Sequence, residues 1–355
     1  MATVYEALDL RTERVRALKL LQPSLVSNDV HRRRFTREAT VTAKVASDHV
    51  VDILDAGIDE ASGSPFLVMP LLAGRDLAAE IEVRGALDAP TVLSYLTQIA
   101  RALDRAHEAR IVHRDLKPAN VFIAERDDGS TQVMVLDFGI AKLIDRVSTR
   151  ATEAILGSPL YLAPEQVRYK KERVTERADI YALGQLAYTA LVGEAYYAPE
   201  DEASDGVMGL LMEMAVGETE PASARARARR SVELPEAIDA WFARATARDP
   251  SARFDSASEA VIAFAGVFEL PVPEFRNARP VTTTPSTEPQ EVIAEAELSE
   301  PPPPPARRSW RAALGVAGTA VVVVAAFWTV GARSAGREEQ PSATDSAVRA
   351  APSSP

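Results

Sequence analysis

Three short polar strings stand in a fixed order in the middle of the chain, and no other feature constrains the fold as strongly. Residues 113–120 read HRDLKPAN, residues 137–139 read DFG and residues 163–165 read APE. Each string alone is typical of a surface turn. In this order and spacing, with Lys19 upstream in the apolar run at 15–21, they predict a fold that brings distant polar side chains to one place.

Together these strings resemble the signature set of protein kinases, over roughly residues 1–268. The chain is similar to bacterial, membrane-anchored serine/threonine protein kinases of the eukaryotic-like (Hanks) type. The resemblance implies an α+β, two-lobed protein-kinase fold, with a β-rich N-lobe at 1–69, a hinge at 70–73 and a helical C-lobe at 74–268. The implied reaction transfers the γ-phosphate of Mg-ATP to serine or threonine of protein substrates.

The spacing of apolar residues agrees with two lobes of different character. Short β-like runs are predicted at 3–7, 15–21, 50–57 and 66–69, around one helical stretch at 31–45. Beyond them helices dominate. Residues 89–108 carry apolar side chains at the i, i+3, i+4, i+7 spacing of an amphipathic helix.

The resemblance implies a role for each polar residue of the central strings. Asp115 would accept and orient the proton of the substrate hydroxyl, and Lys117 would meet the transferring phosphate. Asn120 and Asp137 would hold Mg²⁺, or Mn²⁺, through oxygen ligands that suit a hard cation. These residues are needed together because phosphoryl transfer depends on positioning and on charge stabilisation around divalent cations.

The N-lobe is expected to supply the nucleotide site. By resemblance, Lys19 would reach the α- and β-phosphates and pair with Glu38 of the following helix; a solvated surface charge is the alternative for Glu38. Residues 66–72 resemble the hinge, where backbone groups bind adenine and Met69 closes the back of the pocket. Pro70 stands where Glu is common, but it keeps the carbonyl group that adenine recognition needs. The other residues expected around ATP are Val4, Ala17 and Leu72.

Residues 137–165 would form the activation segment of such a kinase. Arg114 precedes the catalytic aspartate, as in kinases whose loop is ordered by a phosphate through new charge-assisted bonds. This arginine and the loop hydroxyls predict autophosphorylation at Thr149 or Thr152. An ordinary polar loop is the alternative for both threonines.

Four further residues are expected to have structural roles. Ser158 stands where the family usually has Thr, and its hydroxyl would bridge the catalytic aspartate and lysine. Asp179 resembles the buried aspartate that steadies the backbone of the catalytic loop. Arg253 resembles the partner of Glu165 in the APE string.

The remaining charged and titratable residues suggest no second site. His31, His49 and His107 are interpreted as surface or packing residues, because no second ligand stands at metal spacing. The Ala-Arg run at 225–230 is either a docking patch or a solvated helix face, and the second is favoured. A formal net charge of −11 and the absence of cysteine argue against broad nucleic-acid binding and exclude thiolate sites.

The start of the chain departs from the family pattern. The family's loop G-x-G-x-x-G-x-V ends here at Val4, with Ala2 in the third glycine's place, and the first strand and two glycines are missing. Either translation begins upstream, which is favoured because the catalytic residues are intact, or the shortened chain is made. A shortened chain could be a membrane-tethered pseudokinase. A small-molecule phosphotransferase is disfavoured, because the APE string and a long activation segment serve protein substrates.

Beyond the kinase-like region the composition changes. Residues 269–311 are rich in Pro, Thr, Ser and Glu and are predicted to be a linker.

Residues 312–332 carry no charge, and as a helix of about 31 Å they would cross a bilayer once. Three arginines precede this span and two follow it, which favours a cytoplasmic kinase domain at the inner membrane and a short extracytoplasmic tail at 333–355. Gly315 and Thr319 form a small-xxx-small pair, a weak indication of a homodimer.

Overall fold

The computed structural model describes residues 2–26, 28–42, 45–126, 128–138, 159–168, 174–198, 209, 213–214 and 219–275. Outside these residues lie Thr149, Thr152, Ser158, the predicted linker beyond residue 275, the predicted span at 312–332 and the tail at 333–355. None of the helices formed by the described residues is long and apolar enough to span a membrane. The described residues form two lobes, one built on a β-sheet and one mainly helical, which confirms the predicted two-lobed architecture.

The N-lobe is an antiparallel sheet with one helix packed on it. The strands are β1 (Ala2–Asp9), β2 (Arg14–Leu21), β3 (Asp55–Ile58) and β4 (Pro65–Pro70), in the order β1-β2-β4-β3, and the helix is α1 (Asp29–Thr42). Along β4, buried and half-buried residues alternate, as expected of a strand with one covered face. Leu21 and Leu67 contribute to the buried cluster that includes Phe35 of α1, so α1 covers part of that face.

The predicted strand at 50–57 is wrong in its first half, because the strand begins only at Asp55. Val50 instead forms an isolated parallel bridge with Val135, and the Val51 amide donates to the Val135 carbonyl at 3.2 Å. The Val135 amide donates in turn to the carbonyl of His49 at 2.8 Å. This apolar run therefore joins the N-lobe to the C-lobe and takes no place in the N-lobe sheet.

The C-lobe combines seven described helices with a small sheet. The helices are α2 (Leu77–Arg84), α3 (Ala89–Glu108), α4 (Pro164–Arg168), α5 (Arg177–Val192), α6 (Ala222–Arg230), α7 (Ala237–Ala245) and α8 (Ala257–Val267). The sheet has the order β5-β6-β7, formed by β5 (Gly74–Asp76), β6 (Val121–Glu125) and β7 (Thr131–Val135). Residues 178–192 of α5 are all buried, so this helix is the centre of the lobe.

Helix α3 shows why the predicted bounds at 89–108 agree with the structure. Asp88 caps its first turn by accepting from the Thr91 amide at 2.8 Å, and Pro90 stands at the start, where no intrahelical partner is lost. Its apolar stripe is buried against the C-lobe core. A helix specified by a local cap and a local stripe depends little on distant parts of the chain.

The arginine-rich helix α6 does not present a free basic face. Arg225 is buried. Arg229 forms a bidentate pair with Glu194 at 2.9 and 3.1 Å, and Arg227 pairs with Glu233 at 2.7 Å. Carboxylates pair with three of the four arginines of α6, Arg225, Arg227 and Arg229. Arg227 and Arg230 are exposed, so the geometry favours a solvated face over a docking patch.

Candidate active site

One face of the N-lobe sheet lines the cleft between the lobes. In the antiparallel register Lys19 lies opposite Val4, and Ala17 lies opposite Met69. Directly opposite residues share a face of a sheet, and so do residues two apart in one strand. Val4, Ala17, Lys19 and Met69 therefore project from the same face, and this is the face that α1 partly covers.

An apolar cluster lies beside Lys19 on this face. It consists of the buried residues Ala17, Val51 and Met69, with Leu72, Met134 and Leu136 packed against them. Next to Val51 and Met69 lies a cavity of only about 10 Å³, room for no more than one water molecule. The cluster therefore offers apolar side chains from both lobes at the cleft. Val4 is 57% exposed, and Pro70 ends β4.

Three residues of this cluster, Val51, Met134 and Leu136, were not predicted from the sequence. Met134 and Leu136 lie two residues apart at and just beyond the end of β7, directly before Asp137, so strand alternation counted backwards from the DFG string was the available signal. Val51 gave no such signal. It stands outside the strands, and its position depends on the contact with Val135 in the other lobe.

A cation from one lobe meets a carboxylate from the other beside this apolar cluster. Lys19 Nζ donates to Asp137 Oδ2, and the two side chains are 13% and 18% exposed. Glu38 lies in α1, and its side chain is outside the described residues, so the expected Lys19–Glu38 pair stays a prediction. The described partner of Lys19 is therefore the predicted metal ligand Asp137.

The backbone around Asp137 is held by packing behind it. Asp137 has φ 63°, a left-handed conformation that costs a residue with a side chain about 1–3 kcal/mol. The rings of Phe138 and His113 pack edge to face, with their centroids 4.6 Å apart, and both residues are buried. His113 Nε2 also contacts the carbonyl oxygen of Leu136 at 2.8 Å. These contacts on both sides of Asp137 fix the direction of its carboxylate.

Asp115, Lys117 and Asn120 form one hydrogen-bonded group on the C-lobe side of the cleft. Lys117 Nζ donates to both carboxylate oxygens of Asp115, at 3.1 and 2.8 Å. The side chain of Asp115 is 36% exposed, which leaves it open to a group that enters from solvent. The Leu136 amide donates to the Asn120 carbonyl at 2.9 Å, so this group lies directly beside the strand that leads to Asp137.

Asn120 and Asp137 fit the requirements of a hard divalent cation. Asn120 Nδ2 donates to the carbonyl and to the carboxylate of Asp115, at 2.7 and 3.0 Å. Because both partners are acceptors, the amide nitrogen is fixed on that side and the amide oxygen is turned away as a potential ligand. Among the described residues there is no group of three or more His, Cys, Asp or Glu that could hold a metal. Mg²⁺ needs only one or two protein oxygens when substrate phosphates supply the rest.

The backbone before Asp115 is strained and doubly supported. Arg114 has φ 69°. The carboxylate of Asp179 in α5 accepts from the amides of His113 and Arg114, both at 2.8 Å, and Gln166 Nε2 of α4 donates to the Arg114 carbonyl at 2.8 Å. Asp179 is 1% exposed. Support from two helices keeps a costly conformation in place.

His107 of α3 reaches the same carboxylate, with its Nε2 2.7 Å from Asp179 Oδ2. Burial disfavours the imidazolium, but the hydrogen bond and the charge of Asp179 outweigh burial and raise the pKa of His107. Burial likewise acts to raise the pKa of Asp179, and the bonds from His107 and Arg114 outweigh it and lower that pKa. The interpretation of His107 as a surface or packing residue missed this contact, because the partners are 72 residues apart.

Arg114 and Arg253 differ in how many of their side-chain donors have hydrogen-bond partners. Within the described part of the chain, the buried Nε of Arg114 has no hydrogen-bond partner. Arg253 instead donates to both carboxylate oxygens of Glu165, at 2.7 and 2.8 Å, and also to the carbonyls of Ala247 and Arg177. Arg114 therefore has an unused donor near the catalytic loop, and Arg253 has none of this kind.

Comparison with known proteins agrees with this geometry. The family model described as protein kinase domain matches residues 1–261. Serine/threonine-protein kinase PknE of Mycobacterium tuberculosis is 35% identical over 330 residues, covering 87% of this chain and 55% of PknE. PknD of the same organism is 35% identical over 263 residues, covering 74% of this chain and 37% of PknD. The chain thus spans about half the length of the curated relatives it matches, or less.

A solved structure shows the same similarity. The crystal structure of the PknI kinase domain of M. tuberculosis superposes with a TM-score of 0.57 at 28% identity, covering 76% of this chain and 92% of that one. Two lobes with an inter-lobe Lys–Asp pair agree with the fold of a protein kinase domain. The chain belongs to the protein kinase family, and the relatives named here are bacterial serine/threonine-protein kinases. The predicted membership of the protein kinase family is confirmed.

Proposed function

We propose that the chain transfers the γ-phosphate of ATP, with Mg²⁺ or Mn²⁺, to serine or threonine of protein substrates. The observation that carries the proposal is the meeting of Lys19 and Asp137 across the cleft, beside the group formed by Asp115, Lys117 and Asn120. A cation, two candidate oxygen ligands and an exposed carboxylate are what in-line phosphoryl transfer requires at one place.

Each residue has a defined task in this proposal. Lys19 binds the α- and β-phosphates, and Lys117 neutralises charge on the transferring group. Asp115 orients the attacking hydroxyl and accepts its proton, because its carboxylate is the exposed member of the group. Asn120 and Asp137 would hold Mg²⁺, which supplies neutralisation of the triphosphate charge when bound.

The adenine ring would pack against the apolar cluster beside Lys19. Ala17 and Val4 would cover it from the N-lobe, and Leu72 and Leu136 would lie below it. Met69 limits its depth, since the cavity beside it holds at most one water molecule. Pro70 has no N–H but retains the carbonyl that would accept from the adenine amino group.

Regulation by phosphorylation is the second part of the proposal. The buried Nε of Arg114, which has no hydrogen-bond partner among the described residues, is a donor suited to a phosphate on the activation segment. Thr149 and Thr152 are the expected acceptors of that phosphate. Phosphopeptide mapping of active protein should find at least one of them modified, and an active preparation with both unmodified would overturn this part.

Attachment to a membrane is the third part. The uncharged run at 312–332 is long enough to span a bilayer as a helix, and the arginines before it favour a cytoplasmic kinase domain. Gly315 and Thr319 would allow two spans to pack closely as a homodimer. Cell fractionation should find the full chain in membranes and a variant lacking 312–332 in the soluble fraction. A soluble full chain would contradict the proposal.

The catalytic part is tested with γ-labelled ATP, a protein substrate and phosphoamino-acid analysis. The wild-type chain should produce phosphoserine or phosphothreonine, and Asp115→Ala should lose this activity. Asp128→Ala is the matched control, because Asp128 is an exposed carboxylate in the turn between β6 and β7. ATP binding without transfer would indicate a pseudokinase, and labelling of small molecules alone would indicate a different phosphotransferase.

A further inference from the structure

We propose that the acidic stretch of this chain at 288–300 docks into a groove of the C-lobe, which lies between α3 and the segment that follows α8. The groove would be a second binding surface, separate from the cleft between the lobes. This docking goes beyond the proposed kinase activity and does not depend on it.

The groove, named here the α3 groove, has two walls of different origin. Helix α3 contributes Leu93 and Arg101, and the segment after α8 contributes Leu270, Pro271 and Pro273. The space between them is about 490 Å³, which is the size of a binding site and far larger than a packing defect. Of the described residues that line it, none belongs to the apolar cluster beside Lys19.

The segment after α8 is held against α3. The amide of Leu270 donates to the Ala265 carbonyl at 2.9 Å, and Arg101 Nη2 donates to the Glu274 carbonyl at 3.0 Å. Leu270 and Phe275 also pack against the C-lobe core. The last described residue, Phe275, therefore directly follows the contact with Arg101, at the edge of the α3 groove.

The rim of the α3 groove is positively charged. Arg101 and Arg126 are exposed. Burial lowers the pKa of His49, which also lines the groove, and the charges of both arginines lower that pKa further, against the opposite effect of Asp48. Both guanidinium groups therefore lie near His49. Because a guanidinium has five N–H donors, the bond from Arg101 to Glu274 leaves others for a carboxylate.

The stretch at 288–300 has the complementary chemistry. It contains no lysine or arginine, and its glutamates stand at positions 288, 291, 295, 297 and 300. Its apolar residues, Val292, Ile293 and Leu298, suit the wall formed by Leu93 and Leu270. Residues 276–287 carry no acidic side chain, so the complementary charge begins at Glu288.

The length of the chain allows this stretch to return to the groove. Twelve residues, 276–287, separate Phe275 from Glu288, and fully extended they span at most about 40 Å. A flexible tether of this length gives an effective concentration of the order of millimolar. Weak ionic and apolar contacts are therefore enough to keep the groove occupied.

The groove borders the strand that leads to Asp137. The His49 carbonyl accepts from the Val135 amide at 2.8 Å, and Gln98 Oε1 accepts from the Val133 amide at 2.9 Å. His49 and Gln98 both line the groove. Docking would thus place the acidic stretch against two residues that support β7, and capture of the stretch by another protein would remove those contacts.

Disulfide trapping in the full chain tests the proposal. The chain contains no cysteine, so two introduced cysteines report one contact without background. Ser94 is exposed on α3 and lines the groove, and Ser299 lies in the acidic stretch. Under mild oxidation, Ser94→Cys/Ser299→Cys should form an intramolecular disulfide about tenfold faster than Ser251→Cys/Ser299→Cys. Ser251 is the matched control, because it is an exposed serine of the same lobe outside the groove.

Peptide mass spectrometry and non-reducing gels identify the product. Equal rates for the two pairs would overturn the proposal. A disulfide that joins two chains would assign the groove to a second copy, and would overturn it as well. If the wild type transfers no phosphate, the proposed function fails, and the disulfide rates still decide whether the acidic stretch docks.

Charge reversal tests which groups attract the stretch. In the Ser94→Cys/Ser299→Cys chain, Arg101→Glu should slow disulfide formation about tenfold, because it replaces an attraction by a repulsion. Arg101→Glu also removes the bond to Glu274, so a second set of changes, Glu295→Arg and Glu297→Arg, is combined with it. This combination should restore the rate if the charges of the stretch and the groove meet directly.

Arg248→Glu is the control for charge reversal, since Arg248 is an exposed cation of the same lobe outside the groove. It should leave the rate of disulfide formation at the value of the parent pair. An equal loss of rate in Arg248→Glu, or no recovery when Glu295→Arg and Glu297→Arg are added to Arg101→Glu, would contradict the assigned charge contact and overturn the proposal.

Discussion

Two ion pairs in this molecule use similar chemistry for opposite purposes. Arg253 and Glu165 form a bidentate pair with side chains 0% and 9% exposed, and Arg253 also donates to two backbone carbonyls. Lys19 and Asp137 meet through one contact at the border of a cleft. The first pair has no capacity left for a ligand. For the second, we propose that a phosphate replaces Asp137 beside Lys19 and that a cation replaces Lys19 beside Asp137.

The difference separates residues that hold the C-lobe from residues that act in the cleft. A buried pair with all donors satisfied resists change, because removing one partner leaves an uncompensated charge. A part-exposed pair between two lobes contributes less to folding, since water competes for both groups. Two aspartates differ in the same way. Asp179 is buried and accepts hydrogen bonds at both carboxylate oxygens, whereas the side chain of Asp115 is partly exposed to solvent.

The largest change in stability is expected for Arg253→Met. The substitution leaves the Glu165 carboxylate buried without its partner, and it also removes donors to the carbonyls of Ala247 and Arg177. We expect the free energy of unfolding to fall by about 3–5 kcal/mol, measured by urea denaturation. A loss no larger than that of a surface substitution would show that the two pairs do not differ as described.

Lys19→Met should show the opposite profile. Phosphate transfer should fall about 10²–10³-fold, because a preorganised charge at the phosphates is lost, while the urea midpoint should move less than in Arg253→Met. Arg14→Met is the control, since Arg14 is an exposed cation on the same strand. If Lys19→Met retained wild-type activity, Lys19 would have no role in phosphate transfer.

The pH dependence of stability gives a smaller effect. The pKa of His107 is raised, so its contribution is complete below the unfolded value of about 6.5 and is lost as pH rises through the folded value. The stability difference between wild type and His107→Gln should therefore shrink by about 1 kcal/mol on going to alkaline pH. Urea denaturation at acidic and alkaline pH measures it. A difference that grows with pH would contradict the assignment of the charged form.

The smallest effect is expected for Arg227→Ala in α6. Arg227 and Glu233 form a bidentate pair, yet their side chains are 61% and 70% exposed. Solvent and salt screen such a pair, so the urea midpoint should stay at the wild-type value. A clear loss of stability, or of substrate phosphorylation, would mean that the arginine-rich helix has a function its geometry does not indicate.

The sequence predicted elements whose signals are local. The helix at Ala89–Glu108 was predicted with the observed bounds, because its cap and its apolar stripe lie within it. The strand at Pro65–Pro70 was predicted to within a residue at each end. The first half of the run at 50–57 was assigned wrongly, because its valines pair with Val135 of the other lobe. Alternation and periodicity do not report such distant partners.

In the candidate site, too, contacts between residues close in sequence were predicted and contacts between distant residues were not. Asp115, Lys117 and Asn120 were predicted to lie together because they stand within six residues of one another, and they do form one hydrogen-bonded group. His107 was missed, since its partner Asp179 is brought to it only by the packing of α3 against α5. Neighbours within a motif can therefore be predicted from the sequence, whereas partners brought together by helix packing cannot.

The central claim is that Lys19 and Asp137 converge on one metal-bound triphosphate, and ATP titration calorimetry with and without Mg²⁺ tests it most directly. Lys19→Met should weaken ATP binding under both conditions. Asp137→Asn should abolish the gain in affinity that Mg²⁺ gives the wild type, and leave metal-free binding nearly unchanged. Wild-type affinity and Mg²⁺ dependence in both variants would contradict the account.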